Sequence, residues 1–148
     1  MKQLLQLTFT NTVYQMVTAN DIVAHADEIV RRFKPSRIVL FGSYACGQPS
    51  SDSDVDLFIT RHRWADSPLT VAGQIRIALG VPFPMDLIVS TEGGVARRLA
   101  WKDAFLLEIM QKGITLYAAG DEGVGRQGRI RLRRRLRSVA LAQEVTAR

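Results

Sequence analysis

Two aspartates separated by one residue carry the clearest chemical signal in this 148-residue sequence, Asp54 and Asp56. In a β-strand, residues two apart project from the same face, so both carboxylates point one way while Val55 and Leu57 point into the core. Neighbouring carboxylates repel each other unless a cation lies between them. For Asp-x-Asp alone, a polar strand edge at the surface is the alternative. Carboxylate oxygens shared with substrate phosphates suit Mg²⁺ or Mn²⁺, so the pair predicts a divalent-metal site.

A second feature is the Gly42-Ser43 pair, which follows a short apolar segment at residues 37–41. A buried strand that ends in Gly-Ser offers backbone N–H groups with no side chain in the way and a hydroxyl beside them. Such a turn can hold phosphate oxygens if it leads towards a helix start or a nest of N–H groups. Standing alone, Gly-Ser is more often an ordinary strand-to-loop turn.

The third feature is Asp86, an acid just inside the otherwise apolar segment 84–90. A carboxylate in such a strand must find a partner or shift its pKa. A metal held by Asp54 and Asp56 would be that partner, and a third carboxylate would allow two ions to be bridged. Two ions about 3.5–4 Å apart can stabilise both the attacking and the leaving oxygen of a phosphoryl or nucleotidyl transfer. Asp54, Asp56 and Asp86 are therefore the predicted metal ligands and catalytic residues.

The periodicity of apolar residues predicts the elements that position these groups. Asn20 is a plausible N-cap for a helix over residues 21–34, and Pro35 ends it. Further segments are listed in chain order: strands at 37–41 and 55–60, a helix at 68–79, a strand at 85–90, one or two helices over 91–112, and a strand at 114–117. This order predicts an α/β fold, a small mixed sheet flanked by helices.

The C-terminal segment differs from the rest in charge. Residues 1–120 hold 12 basic and 11 acidic side chains, whereas residues 121–148 hold 8 arginines and 3 acids, so most of the net charge of +6 lies there. We expect residues 1–18 to form an arm or helix, 19–118 the main domain, and 119–148 a glycine-rich linker with an Arg-rich tail. The tail is either solvated, bound to nucleic acid through phosphates, or docked on an acidic partner.

The composition of the chain limits the kinds of metal site it can hold and the cellular compartment it suits. The single cysteine, Cys46, excludes an intramolecular disulfide and a cysteine metal cage. No apolar run approaches the roughly 18 residues of a membrane span, and polar residues interrupt any signal-peptide core in the N-terminal segment. These observations favour a cytoplasmic protein that does not contact a membrane.

The segment 41–59 resembles the signature of the DNA polymerase β-like nucleotidyltransferase superfamily. Gly42-Ser43 is followed by ten residues and then Asp54-x-Asp56, with Asp86 on a later strand. The pattern is similar to that of the minimal nucleotidyltransferases of bacteria and archaea, and the similarity in element order runs over residues 22–117. The resemblance implies a polymerase β-like fold.

The resemblance also implies roles for these residues. Gly42 and Ser43 would hold the triphosphate, Asp54 and Asp56 would bind both metal ions, and Asp86 would bind the catalytic ion and deprotonate the acceptor. Many members carry arginine where this chain has Cys46, and an arginine there would contact phosphate or brace the loop. Its replacement lowers the expected activity but leaves the metal ligands untouched.

The expected function is transfer of a nucleoside monophosphate, AMP from ATP with Mg²⁺, to an acceptor hydroxyl. By resemblance, that hydroxyl belongs to a partner protein: small members often accompany a HEPN-domain toxin and act as its antitoxin, in some cases adenylylating its tyrosine. Two alternatives stay open, a non-catalytic antitoxin that occludes its partner and an enzyme acting on a small molecule such as an aminoglycoside. The latter would need an acidic pocket, and the sequence offers few acids beyond the metal set.

Overall fold

The computed structural model describes residues 16–146 of the chain, so the arm or helix expected at residues 1–18 falls almost wholly outside the described residues. The elements in chain order are α1 Ala19–Phe33, β1 Arg37–Phe41, α2 Gly42–Cys46, β2 Val55–Arg61, α3 Pro68–Leu79, β3 Met85–Thr91, α4 Glu92–Ala100, α5 Ala104–Lys112, β4 Ile114–Ala118 and α6 Glu122–Thr146. None of the helices described there is long and apolar enough to cross a membrane.

The four strands form one mixed sheet in the order β3-β2-β1-β4. β1 pairs antiparallel with both β2 and β4, and β2 pairs parallel with β3. The parallel pair requires a crossover, which α3 supplies between β2 and β3. The predicted α/β fold, a small mixed sheet flanked by helices, is confirmed.

The two faces of the sheet are covered unequally. Val55, Leu57 and Ile59 of β2 define the packed face, where α1, α3 and α6 contribute to one large apolar core. Asp56 and Phe58 of β2 define the site face, where α4 and α5 cover only part of the sheet with a smaller core. Alternation along one strand therefore assigns apolar packing to one side and acidic chemistry to the other.

The first helix begins two residues earlier than the sequence predicts. Thr18, rather than Asn20, is the N-cap: its hydroxyl accepts from the Asp21 N–H at 3.1 Å, and the Asp21 carboxylate accepts from the Thr18 N–H at 2.9 Å. This reciprocal capping box satisfies two backbone donors at once, which Asn20 alone would not do. The apolar stripe of α1 is buried as predicted, with Ile22, Ala26 and Ile29 fully inaccessible.

The glycine-rich linker expected after residue 118 is wrong. A helix, α6, begins at Glu122 and runs without a break through the glycines and the arginine-rich segment. Gly125 and Gly128 are buried because α6 crosses β4 there at close range, and a Cβ on Gly128 would overlap the Thr115 carbonyl oxygen. Leu132 and Leu136 then enter the core of the packed face. The arginine-rich segment is thus part of the domain, because its glycines serve close packing rather than flexibility.

Candidate functional site

Strand register brings the predicted site residues to one end of the site face. In the parallel pair, Asp56 of β2 stands opposite Asp86 of β3. In the antiparallel pair on the other side, Asp56 stands opposite Phe41, the last residue of β1. The turn at Gly42 therefore lies directly beside the carboxylates.

Gly42 lies against the Asp56 carboxylate because it has no side chain. Its φ is +73°, in the left-handed region that favours glycine, and a Cβ at this position would overlap the Asp56 carboxylate. The predicted phosphate-binding turn and the predicted metal ligands are consequently neighbours, although Gly42 and Asp56 are far apart in sequence.

Gly42 begins a short helix, α2, in a segment for which the sequence pattern predicts neither helix nor strand. Ser43 is half-buried in its first turn, Tyr44 and Ala45 are buried, and Gly47 ends it with a left-handed C-cap. The Tyr44 hydroxyl accepts a hydrogen bond from the Val17 N–H at 3.3 Å, and burial raises the pKa of this phenol. Tyr44 thus anchors α2 to the packed core and leaves Gly42 and Ser43 at the open end of the sheet.

Asp56 is the electrostatic centre of the site. Burial, followed by the negative charges of Asp86 and then Asp54, raises the pKa of its carboxyl to about 6. A carboxylate that is partly desolvated and repelled by two others is stabilised by a cation. The side-chain atoms available as metal ligands are hard carboxylate oxygens, which fits Mg²⁺ or Mn²⁺ and does not fit a softer metal.

Asp86 lies on the edge strand and has a second partner. Its Oδ1 is 3.7 Å from Nη2 of Arg76 on α3, and both side chains are more than half exposed. As the side chains stand, residues 16–146 contain no group of three His, Cys, Asp or Glu side chains gathered closely enough to hold a metal ion. The structure therefore brings Asp54 and Asp86 within electrostatic reach of Asp56 but does not close the three into one coordination shell.

An apolar cavity of about 220 Å³ adjoins the turn on its other side. Phe41, Gly42 and Cys46 line one wall, and residues of α5, including Phe105, line the other. The Phe41 and Phe105 rings meet edge to face, with centroids 5.9 Å apart. A ligand with phosphates at Gly42 and Ser43 would have room beside them for an apolar or planar group.

The sequence matches a protein family over this same region. The family is described as the nucleotidyltransferase domain, and the match covers residues 22–117, which contain every residue of the site described above. The chain belongs to the nucleotidyltransferase domain family. The resemblance seen in the sequence is thereby confirmed, and no curated protein matches this nucleotidyltransferase in sequence.

Two solved structures are similar to the nucleotidyltransferase at low identity. A candidate nucleotidyltransferase from Sulfolobus solfataricus is 16% identical, with a TM-score of 0.47, covering 74% of this chain and 92% of its own. A mutant of the toxin–antitoxin pair MntA–HpeT is also 16% identical, with a TM-score of 0.43, covering 88% of this chain and 91% of its own.

Two arginines of the nucleotidyltransferase contact the elements that carry the site, and nothing in the sequence distinguishes them. Arg76 pairs with Asp86 across α3 and β3. Arg135 of α6 donates from Nη1 to the carbonyl oxygen of Ala45, at the far end of α2 from Gly42. Arg76 stands alone in its helix and Arg135 is one of eight arginines after residue 120, so neither spacing nor composition distinguishes them.

Proposed function

We propose that this nucleotidyltransferase transfers AMP from ATP to an acceptor hydroxyl and requires Mg²⁺, or Mn²⁺, to do so. The observation that carries the proposal is the contact between Gly42 and the Asp56 carboxylate. It means that phosphates at the turn and cations at the carboxylates would occupy one continuous site, as nucleotidyl transfer requires.

The residues of the site would have different roles, according to where they lie. Gly42 exposes its backbone beside the carboxylates and Ser43 adds a hydroxyl, so this turn would orient the triphosphate. Asp54, Asp56 and Asp86 would hold up to two cations, which when bound supply stabilisation of the charge on the reacting oxygens. The cavity lined by Phe41 and Phe105 leaves room for the nucleoside.

The reaction is a substitution at the α-phosphorus. The acceptor oxygen forms a bond to that phosphorus, the bond to the oxygen bridging the α- and β-phosphates breaks, and pyrophosphate leaves. The acceptor proton passes to a carboxylate, a role we assign to Asp86 because it lies on the edge strand and is exposed to an approaching hydroxyl.

We also propose that the acceptor belongs to a partner protein, in the manner of an antitoxin acting on a HEPN-type toxin. The proposal is motivated by the resemblance to small nucleotidyltransferases. It is supported by the exposed arginines of α6, Arg131, Arg134 and Arg137, which form a basic surface suited to an acidic protein. Contact of the same arginines with nucleic-acid phosphates is the competing use of this surface.

The position of the radioactive label tests the chemistry. The full chain, together with the protein that co-purifies with it, is incubated with Mg²⁺ and with ATP labelled at the α- or the γ-phosphate. Nucleotidyl transfer leaves the α-label on the acceptor and releases the γ-label as pyrophosphate, whereas phosphoryl transfer would retain the γ-label.

Variants identify the residues responsible. Asp54→Asn and Asp56→Asn should abolish labelling, whereas Asp52→Asn, an exposed carboxylate in the preceding loop, should label like the wild type. Stable binding of the partner without label in either form would instead support the non-catalytic alternative.

A further inference from the structure

The C-terminal helix makes a specific contact with the segment that carries Gly42 and Ser43. Arg135 donates from Nη1 to the Ala45 carbonyl oxygen across 90 residues of sequence. Its hydrocarbon stem also lies along Gly47: Cβ, Cγ and Cδ of Arg135 are 3.6–3.9 Å from the position that a Gly47 Cβ would take. One side chain thus contacts Ala45, in the last turn of α2, and Gly47, the residue that caps this helix.

The position of Arg135 is fixed by the packing of α6. Gly128 allows the helix to lie against the Thr115 backbone, and Leu132 and Leu136 are held in the core of the packed face. Arg129 adds a second contact, this time with α1, since its Nη2 is 2.7 Å from the Asp27 carboxylate. With helical spacing set by these contacts, Arg135 is directed towards α2 rather than towards solvent, and it is half-buried.

We propose that Arg135 is a positioning residue for the Gly42-Ser43 turn, and that triphosphate binding depends on it. The inference deepens the proposed function and rests on it. Arg135 does not contact the turn itself; it acts by holding the opposite end of α2 against the domain.

The length of α2 explains why such a residue is needed. A helix of five residues has too few internal hydrogen bonds to be stable without tertiary contacts. Tyr44 anchors its buried side through the Val17 N–H, and Arg135 anchors its last turn. A cation beside terminal helix carbonyls is also favourable electrostatically. Cys46, at the adjacent position, is exposed and gives the turn no comparable support.

The test measures binding of two ligands that share a triphosphate. Mg²⁺–ATP and Mg²⁺–tripolyphosphate are titrated calorimetrically into the full wild-type chain and into Arg135→Met, Arg135→Lys and Arg126→Met, well below each variant's melting temperature. Arg126 is the matched control because it is an exposed arginine on the same helix. Met keeps most of the Arg135 stem but removes the charge and the hydrogen bond, and Lys restores the charge.

We expect Arg135→Met to weaken both ligands by about tenfold, the effect of one lost charge-assisted hydrogen bond on a turn that must be preorganised. Arg135→Lys should recover about half of that loss on a logarithmic scale, and Arg126→Met should bind like the wild type. Wild-type affinity in Arg135→Met, whatever its melting temperature, would overturn the inference, as would an equal loss in Arg126→Met.

Two further outcomes are also decisive. If Arg135→Met does not fold, Arg135→Lys decides: weaker binding at an unchanged melting temperature supports the positioning role, and wild-type binding overturns it. If the wild-type chain binds neither ligand, the proposed function itself fails, which is a different result from a wild-type chain that binds both and an Arg135→Met chain that binds equally well.

Discussion

The packed face and the site face of the same sheet are built from alternate residues of the same strands, yet they change the stability of the fold in opposite directions. On the packed face, Leu57 and its neighbours are fully buried among three helices and stabilise the fold. On the site face, the adjacent residue Asp56 is repelled by two other acids and held at a raised pKa. The apolar face stabilises the fold, whereas the acidic face lowers its stability, a division that is common at functional sites.

The largest expected effect comes from removing α6 from the packed face. Deleting residues 121–148 would expose Ile114 and Leu116 and remove Leu132 and Leu136 from the core. We expect a chain that is insoluble or lacks a cooperative thermal transition by circular dichroism. Deleting residues 139–148 alone keeps these contacts and should leave a cooperative transition. A soluble, cooperatively folded product of the longer deletion would show that α6 is dispensable for the packed face.

A smaller loss is expected from a single truncation on the packed face. Leu57→Ala should lower the free energy of unfolding by about 3 kcal/mol, because it removes buried methyl groups and leaves a cavity between the sheet and its helices. Urea denaturation followed by tryptophan fluorescence measures the change. A loss below about 1 kcal/mol would mean that neighbouring side chains move in to fill the cavity at position 57. The two faces would then differ less in their contribution to stability than their burial indicates.

The opposite sign is expected one residue away. Because the folded pKa of Asp56 lies above the unfolded value of about 3.9, its ionised form destabilises the folded state, fully so above pH 6 and not at all below about pH 4. Allowing for solvent screening, Asp56→Asn should therefore raise the free energy of unfolding by about 1 kcal/mol at pH 8. The gain should disappear as the pH falls from 6 to 4, while Mn²⁺ binding is lost throughout. Urea titrations at pH 8 and pH 4 check the sign, and a destabilised variant at pH 8 contradicts it.

The smallest effect concerns Arg76, the cation that faces Asp86. The pair is exposed and 3.7 Å apart, so Arg76→Met should change the free energy of unfolding by less than about 0.5 kcal/mol. Removing this positive charge should still raise Mn²⁺ affinity about twofold, because Asp86 no longer has a competing partner. Paramagnetic resonance of free Mn²⁺ measures the affinity, with the exposed Arg63→Met as control. Equal affinities in both variants would remove Arg76 from the site.

Local patterns predicted most of the fold. The bounds of β1 and α3 follow the sequence because a β-branched apolar run, a proline at a helix start and a terminal glycine are local signals. α2 was missed because five residues are too few for a helical period to be recognised. α6 was misread because glycine spacing alone does not distinguish a flexible linker from a helix pressed against a strand.

The candidate site was predictable only in part. Asp54, Asp56 and the Gly42-Ser43 turn are recognisable from spacing, and the proximity of Asp86 follows once β2 and β3 are paired in register. The alternative partner of Asp86, Arg76, depends on how α3 crosses the sheet. Arg135 depends on the rotation of α6 about its own axis, which is set by tertiary contacts. Roles that arise from packing between distant elements leave no local trace.

The contact between Arg135 and Ala45 also has a consequence for synthesis on the ribosome. The two residues are separated by 90 positions, so at typical elongation rates the arginine is made about 5 to 20 s after the segment it contacts. β1 faces the same delay in part, since its partner β4 is made only after α5. In a nascent chain, β2 and the Gly42 turn are therefore made seconds before Arg135 can contact Ala45. Arrested chains that end before and after α6 should differ in their capacity to retain a nucleotide.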